Sequence, residues 1–218
     1  MKIKIIKGNI FTSQCQTLVN TVNCVGVMGA GIALEFRLRY PEMYKRYVEL
    51  CKRDLMQVGK LWLYKSQDRW VLNFPTKTHW KYKSKVDYLR LGLQKFVDTY
   101  RDKKITSIAF PLLGAQNGGI AEEVSLEIMK ESLYLCDIPI EIYIYDPLAP
   151  DDLYKDLKAK FRSITIEELV EVTGLGKAQI QKIQDAMNNI DIHSIACLTA
   201  VKGIGQASLD KLFRLIRV

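Results

Sequence analysis

Histidine and cysteine, the residues that most often build metal sites and disulfide frameworks, are scarce and scattered in this chain. There are only two histidines, His79 and His193, and five cysteines, none of them in a C-x-x-C pair. Histidines so far apart do not suit a zinc cluster, and an odd number of dispersed cysteines does not suit a disulfide framework. We therefore predict reduced cysteines and expect neither a metal nor any other cofactor.

Long apolar runs are also missing. No stretch of the 218 residues is long and apolar enough to span a bilayer, and residues 1–4 begin a strand-like alternation instead of a signal peptide. The G-x-x-x-x-G-K-[ST] and G-x-G-x-x-G fingerprints are absent as well, which disfavours a nucleoside triphosphatase and a simple dinucleotide dehydrogenase. We expect a cytoplasmic protein that does not contact a membrane.

The chain is basic, and the excess positive charge lies in its first part. The net charge is +8; residues 1–150 hold 22 Lys and Arg against 15 Asp and Glu, whereas residues 151–218 hold 10 against 9. A basic surface attracts polyanions and speeds their encounter. Nucleic acid is therefore a plausible partner, mainly for the first 150 residues.

Two glycine-rich stretches stand at matching places in two strand-helix units. Loop one (residues 26–31, GVMGAG) and loop two (residues 114–120, GAQNGGI) each follow an apolar strand-like segment and lead into a helix-like one. Glycine lets the backbone approach a ligand, and the first amides of a helix have no internal partner. A single such loop is more often just a tight turn. The pair predicts a phosphate-bearing ligand held between the two loops.

Strand-like and helical patterns alternate along residues 1–150. The pattern predicts helices from Gly31 to just before Pro41 and from residue 121 to 135, and strands at Thr17–Val22, 59–65, 105–110 and Ile140–Tyr145. Such mixing is typical of a three-layer α/β domain with a mixed sheet, which we expect over residues 1–150.

The C-terminal part has a different sequence pattern, which predicts short helices and contains one internal repeat. The repeat L-x-x-V-x-G-[LI]-G-x-x-x-[IL] occurs at residues 169–180 and 198–209, and both copies resemble helix-hairpin-helix motifs. We expect a small all-α domain over residues 163–218. Such turns offer backbone amides to nucleic-acid phosphates, and the candidates are Gly174, Gly176, Lys177, Gly203 and Gly205. A helical bundle that binds a protein partner explains the repeat equally well.

A basic and aromatic segment follows the central apolar strand. It contains Thr78, His79, Trp80, Lys81, Tyr82, Lys83 and Lys85. Aromatic rings stack on unpaired bases while lysines neutralise phosphates, so the segment is a candidate surface for single-stranded nucleic acid. A solvated basic loop is the alternative, which composition alone favours.

Five motifs together resemble the ADP-ribose-binding macrodomain family over about residues 1–150. They are Gly8-Asn9-Ile10, Val19-Asn20-Thr21-Val22-Asn23, residues 26–33, Pro111-Leu112-Leu113-Gly114, and Asn73-Phe74-Pro75-Thr76-Lys77-x-His79-Trp80. The last motif is similar to the DNA ADP-ribosyl glycohydrolase branch, the macrodomain of DarG-type antitoxins. The resemblance implies a hydrolase that removes ADP-ribose from thymine in single-stranded DNA, with a DNA ADP-ribosyltransferase toxin as partner. We expect it to act as a monomer.

The resemblance also implies roles for individual residues. Lys77 and Asn23 are the catalytic candidates, with Asn23 on the hydroxyls of the ribose attached to the base. The ADP-ribose-binding candidates are Gly8, Asn9, Ile10, Asn20, Val27, Met28, Gly29, Ala30, Gly31, Ile32, Thr76, Leu113, Gly114, Ala115, Gln116, Asn117, Gly118, Gly119, Ile120, Tyr145 and Pro147.

Two routes for Lys77 stay open on the sequence. Its ammonium could stabilise or protonate the leaving base, or a neutral amine could attack the anomeric carbon. The sequence departs from its relatives at Asn9, where many macrodomains have aspartate, and in loop two, where related lysine-using glutamate hydrolases have aspartate.

Two further functions compete with this one. The first is a non-catalytic reader of ADP-ribosylated DNA, which would use the same pocket and dock through the helical repeats. The second is a hydrolase of ADP-ribosylated protein glutamate or of O-acetyl-ADP-ribose.

Overall fold

The computed structural model describes residues 2–216, and the chain divides into two compact units between Asp146 and Pro147. The first unit contains strands β1 (Ile3–Gly8), β2 (Thr17–Val22), β3 (Trp62–Lys65), β4 (Trp70–Pro75), β5 (Ile108–Pro111) and β6 (Ile140–Tyr145). Its helices are α1 (Gly31–Arg39), α2 (Pro41–Lys52), α3 (Val86–Thr99) and α4 (Glu122–Leu133), with short 3-10 turns at Ile10–Thr12 and Gln116–Gly118.

The six strands form one mixed sheet in the order β1-β6-β5-β2-β4-β3. All neighbouring strands are parallel except β3, which pairs antiparallel with β4. Parallel strands joined through helices bring their carboxyl ends to one edge of the sheet, where ligands bind in open α/β sheets. In the centre, β2 and β4 run in register from Thr17 beside Trp70 to Val22 beside Pro75.

The core lies on both faces of the sheet, because successive strand residues point to opposite sides. On β4, Leu72 and Phe74 join the apolar layer under α3 and α4, while Val71 joins the layer under α1 and α2. The same division separates Phe110 from Ala109 on β5. The expected three-layer α/β unit with a mixed sheet is confirmed.

Two strands begin later than the sequence pattern predicts. The strand expected from residue 59 starts at Trp62, because Gly59 has a φ of +81° in a turn that the Lys60 amide closes onto the Gln57 carbonyl at 3.0 Å. The strand expected from residue 105 starts at Ile108. Here the chain is still leaving α3, since the Ile105 amide donates to the Tyr100 carbonyl at 3.0 Å.

The second unit is entirely helical within the described residues, as expected. Its helices are α5 (Asp152–Arg162), α6 (Ile166–Thr173), α7 (Lys177–Asn188), α8 (Ile195–Ala200) and α9 (Gln206–Leu212), with a 3-10 turn at Phe213–Leu215. α5 lies in this unit and precedes residue 163, where the sequence placed the start of the helical domain. The buried Asp151 carboxylate accepts from the Tyr154 amide at 2.9 Å and from the Ile195 amide at 2.8 Å, so it joins the starts of α5 and α8. None of the helices between residues 2 and 216 has the length and apolar character needed to cross a membrane.

Candidate functional site

The site begins where β2 and β4 end side by side at the carboxyl edge of the sheet. Backbone bonds continue past the strands: the Thr76 amide donates to the Val22 carbonyl at 2.9 Å, and the Cys24 amide to the Thr78 carbonyl at 3.3 Å. The chain leaving β2 therefore stays beside the chain leaving β4. This arrangement places Lys77 next to the start of loop one.

Asn23 shapes loop one. Its side-chain oxygen accepts from the amides of Val25 (3.0 Å) and Val27 (3.3 Å), and its Nδ2 donates to the Val27 carbonyl at 2.6 Å. The Tyr47 hydroxyl donates to both oxygens of Asn23, at 2.8 Å for the carbonyl and 3.1 Å for the side chain. Asn23 is buried and holds the loop in place in this structure, and its contact with the ribose stays a prediction.

Loop one ends at a helix N-terminus without a side-chain cap. Gly31, the first residue of α1, has a φ of +54°, and Ala30 at the N-cap makes no side-chain hydrogen bond. Uncapped first-turn amides and the helix dipole favour an anion at this position. Gly26 (φ +80°) lies against α2, where an added Cβ would stand 3.6 Å from the Cys51 Cβ.

Loop two is a tight turn with three residues at positive φ. Gly114 and Gly119 have φ values of +66° and +76°, and Gln116 has +40°. The Ile120 amide closes the turn onto the Gly114 carbonyl at 3.0 Å. Since a non-glycine residue at positive φ is strained, Gln116 marks a segment that its surroundings must hold in shape.

Lys77 and the two loops meet at one place. The Lys77 Nζ donates to the main-chain carbonyl of Asn117 in loop two. The Asn117 side chain in turn reaches loop one, because its Nδ2 lies 2.7 Å from where a Cβ at Gly31 would stand. Partial burial lowers the pKa of the Lys77 ammonium. The structure thus brings together three of the groups that the sequence singled out.

The basic aromatic segment, residues 78–85, continues from Lys77. The His79 ring contacts two others: it stacks on Trp80 with centroids 5.5 Å apart and is tilted against Tyr82 with centroids 5.3 Å apart. Trp80 and Tyr82 are 49% and 64% exposed, and the Lys81 Nζ stands 5.2 Å from the Trp80 ring centroid. The segment therefore presents stacked rings and cations to solvent immediately beside the candidate catalytic lysine.

Residues 78–85 also contact loop two. The Ser84 amide donates to the Gly118 carbonyl at 2.9 Å, and the buried Ser84 Oγ lies 2.7 Å from where a Cβ at Gly118 would stand. The Lys83 side chain passes 3.4 Å from the corresponding position at Gly119. A Cβ at position 118 would therefore require the Ser84 side chain to move. The sequence reasoning missed Ser84 and Tyr47, since neither residue belongs to a motif.

Other residues predicted to contact the ligand lie at the carboxyl edge of the sheet or are buried inside the first unit. Gly8 and Tyr145 end β1 and β6 as register partners, and the Asn9 side chain accepts from the Phe11 amide at 3.0 Å. Asn20 and Met28 are fully buried, with the Asn20 Nδ2 2.9 Å from the Asn73 Oδ1.

The remaining ligand candidates lie in or directly beside the two loops, except for Ile10, Thr76 and Pro147. Ile10 and Leu113 are buried, and Pro147 lies in the second unit. Val27, Gly29 and Ile32 belong to loop one or the start of α1; Ala115 belongs to loop two; Thr76 precedes Lys77. Their contacts with a ligand stay predictions.

In the second unit, a lysine that follows each repeat reaches the glycine turn of the other repeat. Lys182 and Lys211 each stand eight positions after the first glycine of their own repeat. The Lys211 Nζ donates to the Gly174 carbonyl at 3.0 Å, and the Lys182 Nζ lies 2.5 Å from where a Cβ at Gly203 would stand. Gln179 also donates to the Gly203 carbonyl at 2.7 Å. Each repeat thus reaches the turn of the other, and the two form one paired unit.

The second glycines of the two turns are open. Gly176 and Gly205 are the N-caps of α7 and α9, and an added Cβ at either would meet nothing within 4 Å. Lys177, the first residue of α7, pairs with Glu167 at 3.0 Å. Both turns therefore present backbone to solvent.

Comparison with known proteins places these observations in a family. The Macro domain family model matches residues 19–129. A DNA ADP-ribosyl glycohydrolase of Thermus aquaticus is 37% identical over 150 residues, which cover 67% of this chain and 41% of that protein. One of Mycobacterium tuberculosis is 40% identical over 141 residues, covering 62% of this chain and 40% of the relative. The chain thus spans about two fifths of the length of the curated relatives it matches.

Solved structures agree with the sequence comparison. The macrodomain of Mycobacterium tuberculosis DarG superposes with a TM-score of 0.63 at 39% identity, covering 65% of this chain and 97% of that one. Thermosipho africanus DarTG in complex with ADP-ribose superposes with a TM-score of 0.64 at 34% identity, covering 67% of this chain and 42% of that one.

Proposed function

Since this chain belongs to the macrodomain family, we propose that it is a hydrolase that removes ADP-ribose from a nucleobase, thymine, in single-stranded DNA. One observation carries the proposal: the Lys77 amine stands at the meeting point of the two glycine loops, at the carboxyl ends of β2 and β4. Relatives at 37% and 40% identity are DNA ADP-ribosyl glycohydrolases, which supports the reaction.

The two loops supply the groups that a diphosphate needs. The uncapped N-terminus of α1 offers amides and a positive dipole end, and Gly31 lets the backbone come close. Loop two faces it through Asn117. A diphosphate held between them would place the ribose attached to the base near Lys77.

Lys77 can then act on the bond between that ribose and the base. As an ammonium, it would stabilise the negative charge that develops on the leaving base. As a neutral amine, it would attack the anomeric carbon directly. The lowered pKa of Lys77 enlarges the neutral fraction and so favours the second route.

The exposed rings of residues 78–85 favour an unpaired strand as substrate. Stacking of a base on an aromatic side chain contributes about 1 to 3 kcal/mol and needs a base free of its partner. Trp80 and Tyr82 offer such faces, and Lys81, Lys83 and Lys85 offer charge to the phosphates.

The direct test compares substrates by mass spectrometry. The protein is incubated with a single-stranded oligonucleotide ADP-ribosylated on thymine, with the same strand annealed to its complement, and with ADP-ribosylated protein. We expect release of ADP-ribose and unmodified thymine from the single strand, with much slower release from the other two. Binding of ADP-ribose without release from any substrate would instead identify a non-catalytic reader.

A transferase is the expected counterpart of this enzyme. A Thermosipho africanus relative, 32% identical over 161 residues, is a DNA ADP-ribosyl transferase-DNA ADP-ribosyl glycohydrolase fusion protein. Removal of a DNA modification requires an activity that installs it. We therefore propose a DNA ADP-ribosyltransferase as functional partner, with this chain acting as a cytoplasmic monomer.

We further propose that the paired hairpins of the second unit bind DNA phosphates without reading sequence. We expect the double variant Gly176→Glu and Gly205→Glu to weaken binding to long DNA about tenfold and to lower the slope of log K against log salt by about 2, because the two added carboxylates repel the phosphates and cancel about two of the positive charges that neutralise them. The added side chains enter open space, so folding should be unaffected.

The matched control is Gly176→Gln with Gly205→Gln, which adds nearly the same volume without charge. Fluorescence anisotropy over a salt series measures both quantities. Equal affinity and slope for the Glu variant and the parent would assign the second unit to a protein partner instead.

A further inference from the structure

Loop two presents only neutral groups to the Lys77 amine. The hydrogen-bond acceptor is the Asn117 main-chain carbonyl. Neither loop two (GAQNGGI) nor loop one (GVMGAG) contains a charged residue. The amine therefore has an acceptor that orients it but no carboxylate from the loops to stabilise its proton.

The position of that carbonyl is fixed from two sides. Gln116 and Gly119 hold the turn at φ values of +40° and +76°, and the Ser84 amide bonds the Gly118 carbonyl at 2.9 Å. On the other side, the Asn117 side chain lies against Gly31. Asn117 thus directs its carbonyl at Lys77 and its side chain at loop one.

The charged residues that flank Lys77 and loop two in the sequence give the amine no acidic partner within the described part of the chain. Its own segment supplies His79 and three lysines, Lys81, Lys83 and Lys85. Glu122 and Glu123 begin α4 after loop two; both are exposed, and neither forms an ion pair with Lys77 in the part of the chain that the structure describes. Burial of the amine is what favours its neutral form.

Resting on the function proposed above, we propose that Asn117 is a positioning residue that orients the Lys77 amine by its main-chain carbonyl. Because its side chain is an amide and not a carboxylate, it adds no negative charge that would stabilise the protonated amine, and the neutral form of the amine acts as the nucleophile. The lone pair of Nζ then forms a bond to the anomeric carbon as the bond from that carbon to the base nitrogen breaks. The base nitrogen takes the bonding pair and a proton released from Nζ. One water molecule hydrolyses the lysine adduct, which frees ADP-ribose and restores the amine.

The test is Asn117→Asp, which keeps the shape of the side chain and adds one negative charge. A carboxylate within about 6 Å of an amine stabilises its protonated form and raises its pKa by about one unit or more. We therefore expect the pH at which Lys77 becomes half reactive to rise by about one unit, so that Lys77 reacts about tenfold more slowly below that pH. Competitive acetylation of the full chain by acetic anhydride over a pH series, quantified by mass spectrometry, measures this without any substrate.

Two neutral variants are the controls. Asn117→Ala and Asn117→Ser keep the main-chain carbonyl and add no charge, so their half-reactive pH should match that of the parent. Lys95, an exposed lysine of α3 outside the site, serves in the same samples as an internal reference. An unchanged half-reactive pH in Asn117→Asp, or an equal shift in the neutral variants, would overturn the proposal.

Activity measurements separate this inference from the function on which it rests. In an active enzyme, the acid limb of the kcat profile should move up by the same amount in Asn117→Asp. A shift in Lys77 acetylation together with a parent protein that cleaves no ADP-ribosylated DNA would support the role of Asn117 and overturn the proposed hydrolase.

Discussion

Replacing Lys77 with alanine is expected to lower the rate of ADP-ribose release from single-stranded DNA by about 10²- to 10⁴-fold, the range typical of a lost proton-transfer or nucleophilic group. Binding of free ADP-ribose should change little, because the loop amides and the N-terminus of α1 remain in place. Single-turnover kinetics measures the first quantity and calorimetry the second.

Lys77→Arg distinguishes the two routes open to this residue. Arginine keeps the positive charge and stays protonated at all accessible pH values, so it cannot act as a nucleophile. Substantial activity in Lys77→Arg would favour charge stabilisation, whereas a loss equal to that of Lys77→Ala would favour attack by the amine. Lys95→Ala, which removes an exposed lysine of α3 outside the two loops and residues 78–85, is the control and should retain turnover. An alanine variant at position 77 as fast as the parent would refute the proposed chemistry.

The sequence predicted the parts of the site that depend on backbone chemistry. Loop one and loop two each follow a strand in the structure, as predicted. Four of their glycines have a positive φ, at positions 26, 31, 114 and 119. The resemblance to macrodomains is confirmed by the family model over residues 19–129. Local sequence patterns are enough to predict these loops because positions with a positive φ and turns between a strand and a helix favour glycine.

The contacts that hold Asn23 and loop two in place could not be predicted from the sequence. Tyr47 lies on α2 and bonds Asn23 across 24 positions, and Ser84 bonds loop two across 34. Such contacts depend on how helices and loops pack in space, and nothing in the local pattern of either residue distinguishes it from an ordinary core tyrosine or loop serine. The same reason explains why the repeat was recognised but its reciprocal lysine contacts were not.

Gly92 is the clearest example of a residue whose importance appears only in three dimensions. It lies in the middle of α3, where glycine costs helix stability of about 1 kcal/mol relative to alanine. An added Cβ would stand 2.5 Å from the Phe74 Cε1 and still closer to its Cζ. Phe74 is fully buried on β4, three residues before Lys77, so α3 can pack this closely only with glycine at that point.

Gly92→Ala should therefore destabilise the protein although alanine is the better helix former. Overpacking in a filled core costs about 1 to 3 kcal/mol, and the contact here is far inside the normal approach of two carbon atoms, so we expect a net loss of about 2 kcal/mol in the free energy of unfolding. Displacement of Phe74 would also move Lys77 and lower turnover. Urea denaturation and single-turnover kinetics measure the two effects.

Two further variants show whether the Phe74 ring is the cause. Gly8→Ala makes the same chemical change at a glycine with nothing within 4 Å, and its unfolding free energy should stay within about 0.5 kcal/mol of the parent. Phe74→Leu combined with Gly92→Ala gives the added methyl group room, so the double variant should be more stable than the sum of the single effects predicts, because the two residues are in contact. Additive effects, or a Gly92→Ala variant as stable as the parent, would mean that the Phe74 ring does not limit how closely α3 packs on the strand that carries Lys77.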